Sequence, residues 1–288
     1  MTSEHLPPEI GAHLASLTEL TPSNDASAVM EAAFTARPAQ TMQRPPNDNE
    51  AAGFARAVND VHHTITLISA DDWGRPAVNG LSVGELVGHL IGTQLSMAAE
   101  LGLGSPISSS TDHIESTRPA ISSGVALLPD AAAAEFRRVS DVLTNHLLQL
   151  DDVGLAVQSR FGTIDAEIRF LLVVRVFELW THDNDLRRAV GLDRVEPDAD
   201  RLWMMTRTVM PIIVGRLGGD RMRIVLTGAG GGVWPASHDE IAEIALDATA
   251  FCRRVANRVS LDHLDADTNG DRAAAHELLE RLAALALD

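Results

Sequence analysis

The sequence predicts a mainly α protein, in which a helical bundle is followed by a small α+β domain. Three observations carry this. Apolar residues recur at helical spacing through four long segments between residues 51 and 189. Ser82 and Glu85 stand at the spacing of a capping box. Beyond Gly218-Gly219 the pattern changes to short strand-like runs separated by turn residues. With 288 residues and 45% hydrophobic content, the chain can build one sizeable core and a smaller one. The expected organisation is an extension with a linker over residues 1–50, a metal-binding helical bundle over 51–195 and an α+β domain over 196–288.

Within the extension, residues 6–20 and 27–36 can form short helices, and residues 37–49 are rich in Pro, Gln and Asn, as a linker is. From Ala51, the residues Phe54, Val58, Val61, Ile65 and Ile68 alternate steps of four and three, one stripe of an amphipathic helix. Trp73 and Pro76 mark a loop. A second helix starts at the Ser82 cap and carries Val83, Leu86, Val87, Leu90 and Ile91 in phase to about Leu101, with His89 in its middle turns. A Gly, Ser and Pro-containing loop precedes a third helix over 130–150, striped by Phe136, Val139, Leu143, His146 and Leu147. The fourth is expected from about Ile164 to Ala189 with Gly191 as its stop. Its run Phe170-Leu171-Leu172-Val173-Val174-Arg175-Val176-Phe177 fits a buried strand equally well when taken alone.

A fifth helix over 200–216 contains Pro211, which predicts a kink. Residues 221–226 and 233–234 read as strands around the glycine-rich turn 228–232, and 241–246 as another strand. Asp247 and Asp271 are placed to cap helices reaching Ala256 and Leu285. The glycine-rich turn lacks the Gly-Lys-Ser/Thr ending of a phosphate loop and reads as a hairpin.

Composition removes several function classes. A formal charge of −17, from 23 basic against 40 acidic residues, argues against binding nucleic acid or an anionic membrane surface. No apolar run reaches 18 residues and no secretion signal opens the chain, so a cytoplasmic location is expected. Cys252 is the single cysteine, which leaves neither a disulfide nor a cysteine-based zinc site within one chain; it reads as core and is given no role. Tyrosine is absent, so it is unavailable as a general acid.

Glu178, His182 and Asp185 stand at offsets of four and seven, on one face if their segment is helical. Such a stripe can hold a metal with a third ligand from elsewhere. His89 is the best candidate and His146 the reserve, whereas the adjacent His62 and His63 diverge by about 100° on a helix. Two imidazoles and one carboxylate leave coordination positions open, the arrangement of a catalytic metal site, and the chain reads as a metalloenzyme. A plainer reading remains open on spacing alone: a surface acid and a helix-end histidine favoured by the helix dipole. Asp185 can orient an imidazole or a metal-bound water, or be a solvated acid.

The segment ending His89-Leu90, together with Glu178-Leu179-Trp180-Thr181-His182-Asp183-Asn184-Asp185-Leu186, resembles the mycothiol-dependent maleylpyruvate isomerase family of the DinB-like superfamily. Residues 223–228 through Trp234, and 247–258, resemble its small C-terminal domain, so the likeness spans about residues 51–288. The resemblance implies a DinB-like four-helix bundle holding a divalent metal, commonly zinc, on His89, Glu178 and His182. It also implies mycothiol as thiol cosubstrate. An arginine from the C-terminal domain, usually after glycine, is expected to contact substrate or thiol. Here that residue is Arg258 after Asn257, and the missing glycine puts its geometry in question.

Under this resemblance a metal-activated thiol adds to an activated cis double bond, the resulting single bond rotates, and the thiol leaves to give the trans product. Arg118 or Arg258 can clamp a substrate carboxylate, although a solvated loop arginine is the simpler reading of Arg118. Two rivals stand beside the isomerase. One is a mycothiol S-transferase acting on an electrophile. The other is a non-catalytic regulator whose extension binds a protein partner.

Overall fold

The structure, a computed structural model, describes residues 49–104, 113–162 and 164–286. The helices expected at 6–20 and 27–36 and nearly all of the linker lie outside the described residues. Those described fall into two compact units, 49–196 and 197–286.

The first unit opens with α1 (Glu50–Leu67), capped by Asn49, whose side chain accepts a hydrogen bond from the Ala52 amide at 3.0 Å. Its stripe Phe54, Ala57, Val58, Val61 and Ile65 is buried, and each large apolar side chain so placed contributes about 1.5–3 kcal/mol. A short hairpin of β1 (Pro76–Val78) and β2 (Leu81–Ser82) turns through Asn79 and Gly80, both at positive φ. It leads into α2 (Val83–Glu100), where the capping box is complete: the Ser82 hydroxyl accepts from the Glu85 amide, and the Glu85 carboxylate from the Ser82 amide.

A helix absent from the sequence reading follows. Residues His113–Ala126 form α3, in the stretch expected to be loop. Its apolar contrast is weak and it contains Pro119, so periodicity gave no signal. Its packing is instead written into α2, where Gly84, Gly88 and Gly92 form a ridge without side chains. A Cβ on Gly88 would lie 2.7 Å from the Ala120 carbonyl oxygen, and one on Gly124 would lie 2.6 Å from the Gly88 Cα. Backbone therefore meets backbone.

Pro129 opens α4 (Pro129–Leu147), and Asp151 caps the single turn α5 (Asp152–Leu155). The fourth expected helix starts later than predicted. Residues Gln158–Phe161 and Ile164–Glu167 pair as the antiparallel hairpin β3–β4, and α6 runs from Ile168 to Val190. Ile164 and Ala166 are buried while Asp165 and Glu167 are partly open, an alternation of period two that belongs to a strand. The end of α6 is at Gly191, left-handed at φ 80°. α1 packs on α4 and α6, and α2 packs on the same two, which closes a four-helix bundle with α3 laid on the outside of α2.

In the second unit α7 (Ala199–Arg216) continues through Pro211. A four-stranded sheet follows in the order β6 (Gly232–Trp234), β5 (Met222–Thr227), β7 (Ala242–Asp247) and β8 (Ala266–Gly270), with β5 and β7 parallel and the other pairs antiparallel. The glycine-rich 228–232 stretch joins β5 to β6 as the expected hairpin. β8, which is polar and lies at an edge, was not anticipated.

Asp247 caps α8 (Ala248–Val255), which packs on β5 and β7, and Asp271 caps α9 (Arg272–Arg281), whose last turn continues as 3₁₀ to Leu285. Arg254, buried on α8, donates to the carbonyls of Leu279, Glu280 and Val259 at 2.8–3.0 Å, so a guanidinium closes the C-terminal end of α9. Cys252 is fully buried beside it, and burial pushes its thiol far above the ordinary range.

Candidate metal centre

Glu178 and His182 stand one turn apart on α6, in a segment buried on nearly every face. Both point into the bundle because α6 packs on α1 and α2 rather than showing them to solvent. His89 comes from the middle of α2. The three side chains are buried, at 1% (His89), 9% (Glu178) and 3% (His182) exposure. One ligand atom from each lies within 4.8 Å of the other two. His89 Nε2 and Glu178 Oε1 are 3.3 Å apart without hydrogen-bond geometry, and the two imidazole rings meet edge to face at 5.5 Å between centroids.

Partners around the three side chains fix which atoms face the common point. His89 Nδ1 is hydrogen-bonded to Thr117 Oγ1 at 2.8 Å. His182 Nδ1 is hydrogen-bonded to Asp185 Oδ2 at 3.2 Å. With each Nδ1 engaged, Nε2 is the ring nitrogen that can face a cation, and the hydroxyl or carboxylate partner on Nδ1 fixes the orientation of the ring. Asp185, buried at 1% exposure, is thus an orienting group for His182, and its other oxygen meets Arg188 Nη2 at 3.1 Å. The donor set, two imidazoles and one carboxylate in an apolar bundle, fits a divalent cation such as zinc.

The residue that sequence reading passed over is Arg175. It lies inside the apolar run of α6, is fully buried, and donates from Nη1 to Glu178 Oε2. Nη2 donates to Thr93 Oγ1 at 2.8 Å and Gln94 Oε1 at 3.2 Å on α2, while Gln94 Nε2 donates to Ser140 Oγ on α4 at 3.0 Å. The guanidinium also lies over the Phe161 ring, 5.0 Å from its centroid. A charge in a run of seven apolar residues is itself the signal that could have found it, because burying one is costly unless an opposite charge waits for it.

The remaining candidates lie elsewhere. His146 is half-buried on α4 and outside the cluster. Arg118 is exposed on α3 and paired with Glu115 three residues earlier. Arg258 belongs to the second unit, where its Nη1 donates to the Ala256 carbonyl at 2.9 Å. Asn257 before it adopts φ 54°, the left-handed conformation that glycine takes most easily and asparagine tolerates, so the missing glycine does not bar that turn.

Residues 54–187 match the family model of the mycothiol maleylpyruvate isomerase N-terminal domain. No curated sequence matches the chain. Among solved structures, a crystal structure of the mycothiol-dependent maleylpyruvate isomerase and one of a histidine-to-alanine mutant of it resemble this chain at 17% identity. The likeness covers 76% of this chain and 91% of each of theirs, with TM-scores of 0.53 and 0.54. At that identity it establishes the DinB-like fold and nothing finer. The family match runs from Phe54 in α1 to Arg187 near the end of α6 and includes His89, Glu178 and His182, so it is the helical unit of this chain that is similar to the mycothiol maleylpyruvate isomerase N-terminal domain.

Proposed function

We propose that the protein is a metal- and mycothiol-dependent enzyme of the maleylpyruvate isomerase type, with His89, Glu178 and His182 as ligands of a divalent metal, zinc by the character of the donors. One observation carries this reading: three buried donors from two helices converge within 4.8 Å of one another. Three protein ligands leave room for an exogenous one, as catalytic sites require. When bound, such a cation supplies the Lewis acidity that lets a thiol, ordinarily of pKa about 8.5, ionise at neutral pH.

The chain's own groups do the rest. Thr117 and Asp185 hold the two imidazoles by Nδ1, Arg175 holds Glu178 by Oε2, and the bundle core keeps water from the donors. The ionised thiol adds to the activated cis double bond, the single bond rotates, and expulsion of the same thiol restores the double bond in the trans form, so the thiol is returned unchanged. Arg258 is proposed as the contact for a substrate carboxylate or for the thiol. Arg118, exposed and engaged by Glu115, is the weaker candidate. A small-molecule substrate in the cytoplasm completes the reading, and a protein partner for residues 1–49 belongs to the rival regulator.

The test is metal content followed by product mass. Purified protein is expected to hold about one metal ion per chain, and His89→Ala, Glu178→Ala and His182→Ala to lose it. Incubation with mycothiol and maleylpyruvate is expected to give a product of unchanged mass. A product heavier by the thiol favours the S-transferase. A tightly held metal with no open coordination position, or a stable partner captured through residues 1–49, favours the regulator.

A further inference from the structure

Both carboxylates at the centre already have a cation of their own. Glu178 is matched by Arg175, and Asp185 by Arg188. Ligating imidazoles are neutral, so the protein presents a donor set whose charges nearly cancel, and a divalent cation placed there keeps most of its positive charge. Arg175 has the larger share of this effect: it is fully buried, whereas solvent screens the half-exposed Arg188. The geometry adds a second consequence. With Nη1 on Oε2, only Oε1 of Glu178 is turned toward His89 Nε2, and the fork is held from behind by Thr93 and Gln94.

We propose that Arg175 is a positioning residue of this centre, which fixes Glu178 as a one-oxygen donor and biases the open position toward a small anion such as a thiolate. A carboxylate free to rotate can present both oxygens to a cation and fill the open position itself. A guanidinium on one oxygen prevents that and preserves the vacant place, while its charge makes an anion the preferred occupant. The inference rests on the metal reading above.

The experiment uses the full chain loaded with Co²⁺, whose visible bands report coordination number, and azide as the anion probe. Arg175→Met is expected to weaken the visible absorption as Glu178 turns to two-oxygen binding, and to weaken azide binding about tenfold or more. Arg175→Lys restores the charge without the fork, so it should recover much of the azide affinity while leaving the altered spectrum. A Met variant with the wild-type spectrum and azide affinity overturns the inference and leaves the metal reading standing. Wild-type protein that takes up no Co²⁺ overturns both. Should Arg175→Met fail to fold, Thr93→Val loosens the same guanidinium from behind; a smaller shift in the same direction supports the proposal, and unchanged azide affinity overturns it.

Discussion

A histidine inside a bundle is a ligand only if something decides which nitrogen it offers, and here the deciding groups are Asp185 and Thr117. Asp185→Asn keeps the shape but weakens the acceptor on His182 Nδ1, and is expected to lower metal affinity by about 10–100-fold, measured by competition with a chelator. An unchanged affinity would remove Asp185 from the site. Cys252 is expected to resist iodoacetamide in the native protein and to react once denatured, because it is fully buried and its thiol is held protonated. Rapid labelling of the native protein would contradict this. The offsets of Glu178, His182 and Asp185 were legible in the sequence because one helix sets them. Arg175 was not read, although the run that contains it was, because a helical window weighs its seven apolar neighbours above the single charge.

Among the elements, α2 is the most demanding. Its Ser82 cap satisfies helix-end amides, and Ser82→Ala is expected to cost about 1 kcal/mol in chemical denaturation. The Glu85 half of the box is pH-dependent. Hydrogen bonding to Ser82 holds its carboxyl below the ordinary 4.5, so its stabilisation is present above that value and is lost as pH falls through the lowered one. The stability gap between wild type and Glu85→Gln should therefore be widest near neutrality and close in acid; a gap that widens in acid would refute it. On the other face, Gly88→Ala drives a methyl into the α3 backbone and is expected to cost about 1–3 kcal/mol and to loosen Thr117 from His89, which a fall in metal affinity would register. The helix α3 escaped the sequence reading because its docking is written as missing side chains on a neighbour, a signal that apolar periodicity does not carry.

For the molecule as a whole, two compact units imply that metal binding should be felt unequally. In hydrogen exchange, adding metal is expected to slow amides of α2 and α6 while those of β5, β7 and α8 stay as they were; equal slowing in both units would count against a site confined to the bundle. The mainly α class and the change of character after Gly218 were legible, since apolar periodicity switches there from 3.6 to 2. The edge strand β8 was not, because its residues are polar and only its pairing with β7 makes it a strand. α6 begins directly where β4 ends, and the Ile168 amide is tied back to the Val157 carbonyl at 3.0 Å, so the hairpin register sets the rotational phase of the ligand-bearing helix. Inserting one residue between Glu167 and Arg175 would turn Glu178 and His182 by about 100° away from His89. Length changes beyond Gly191 would leave that phase untouched, so homologous sequences that bind metal should vary in length there and hold it constant here.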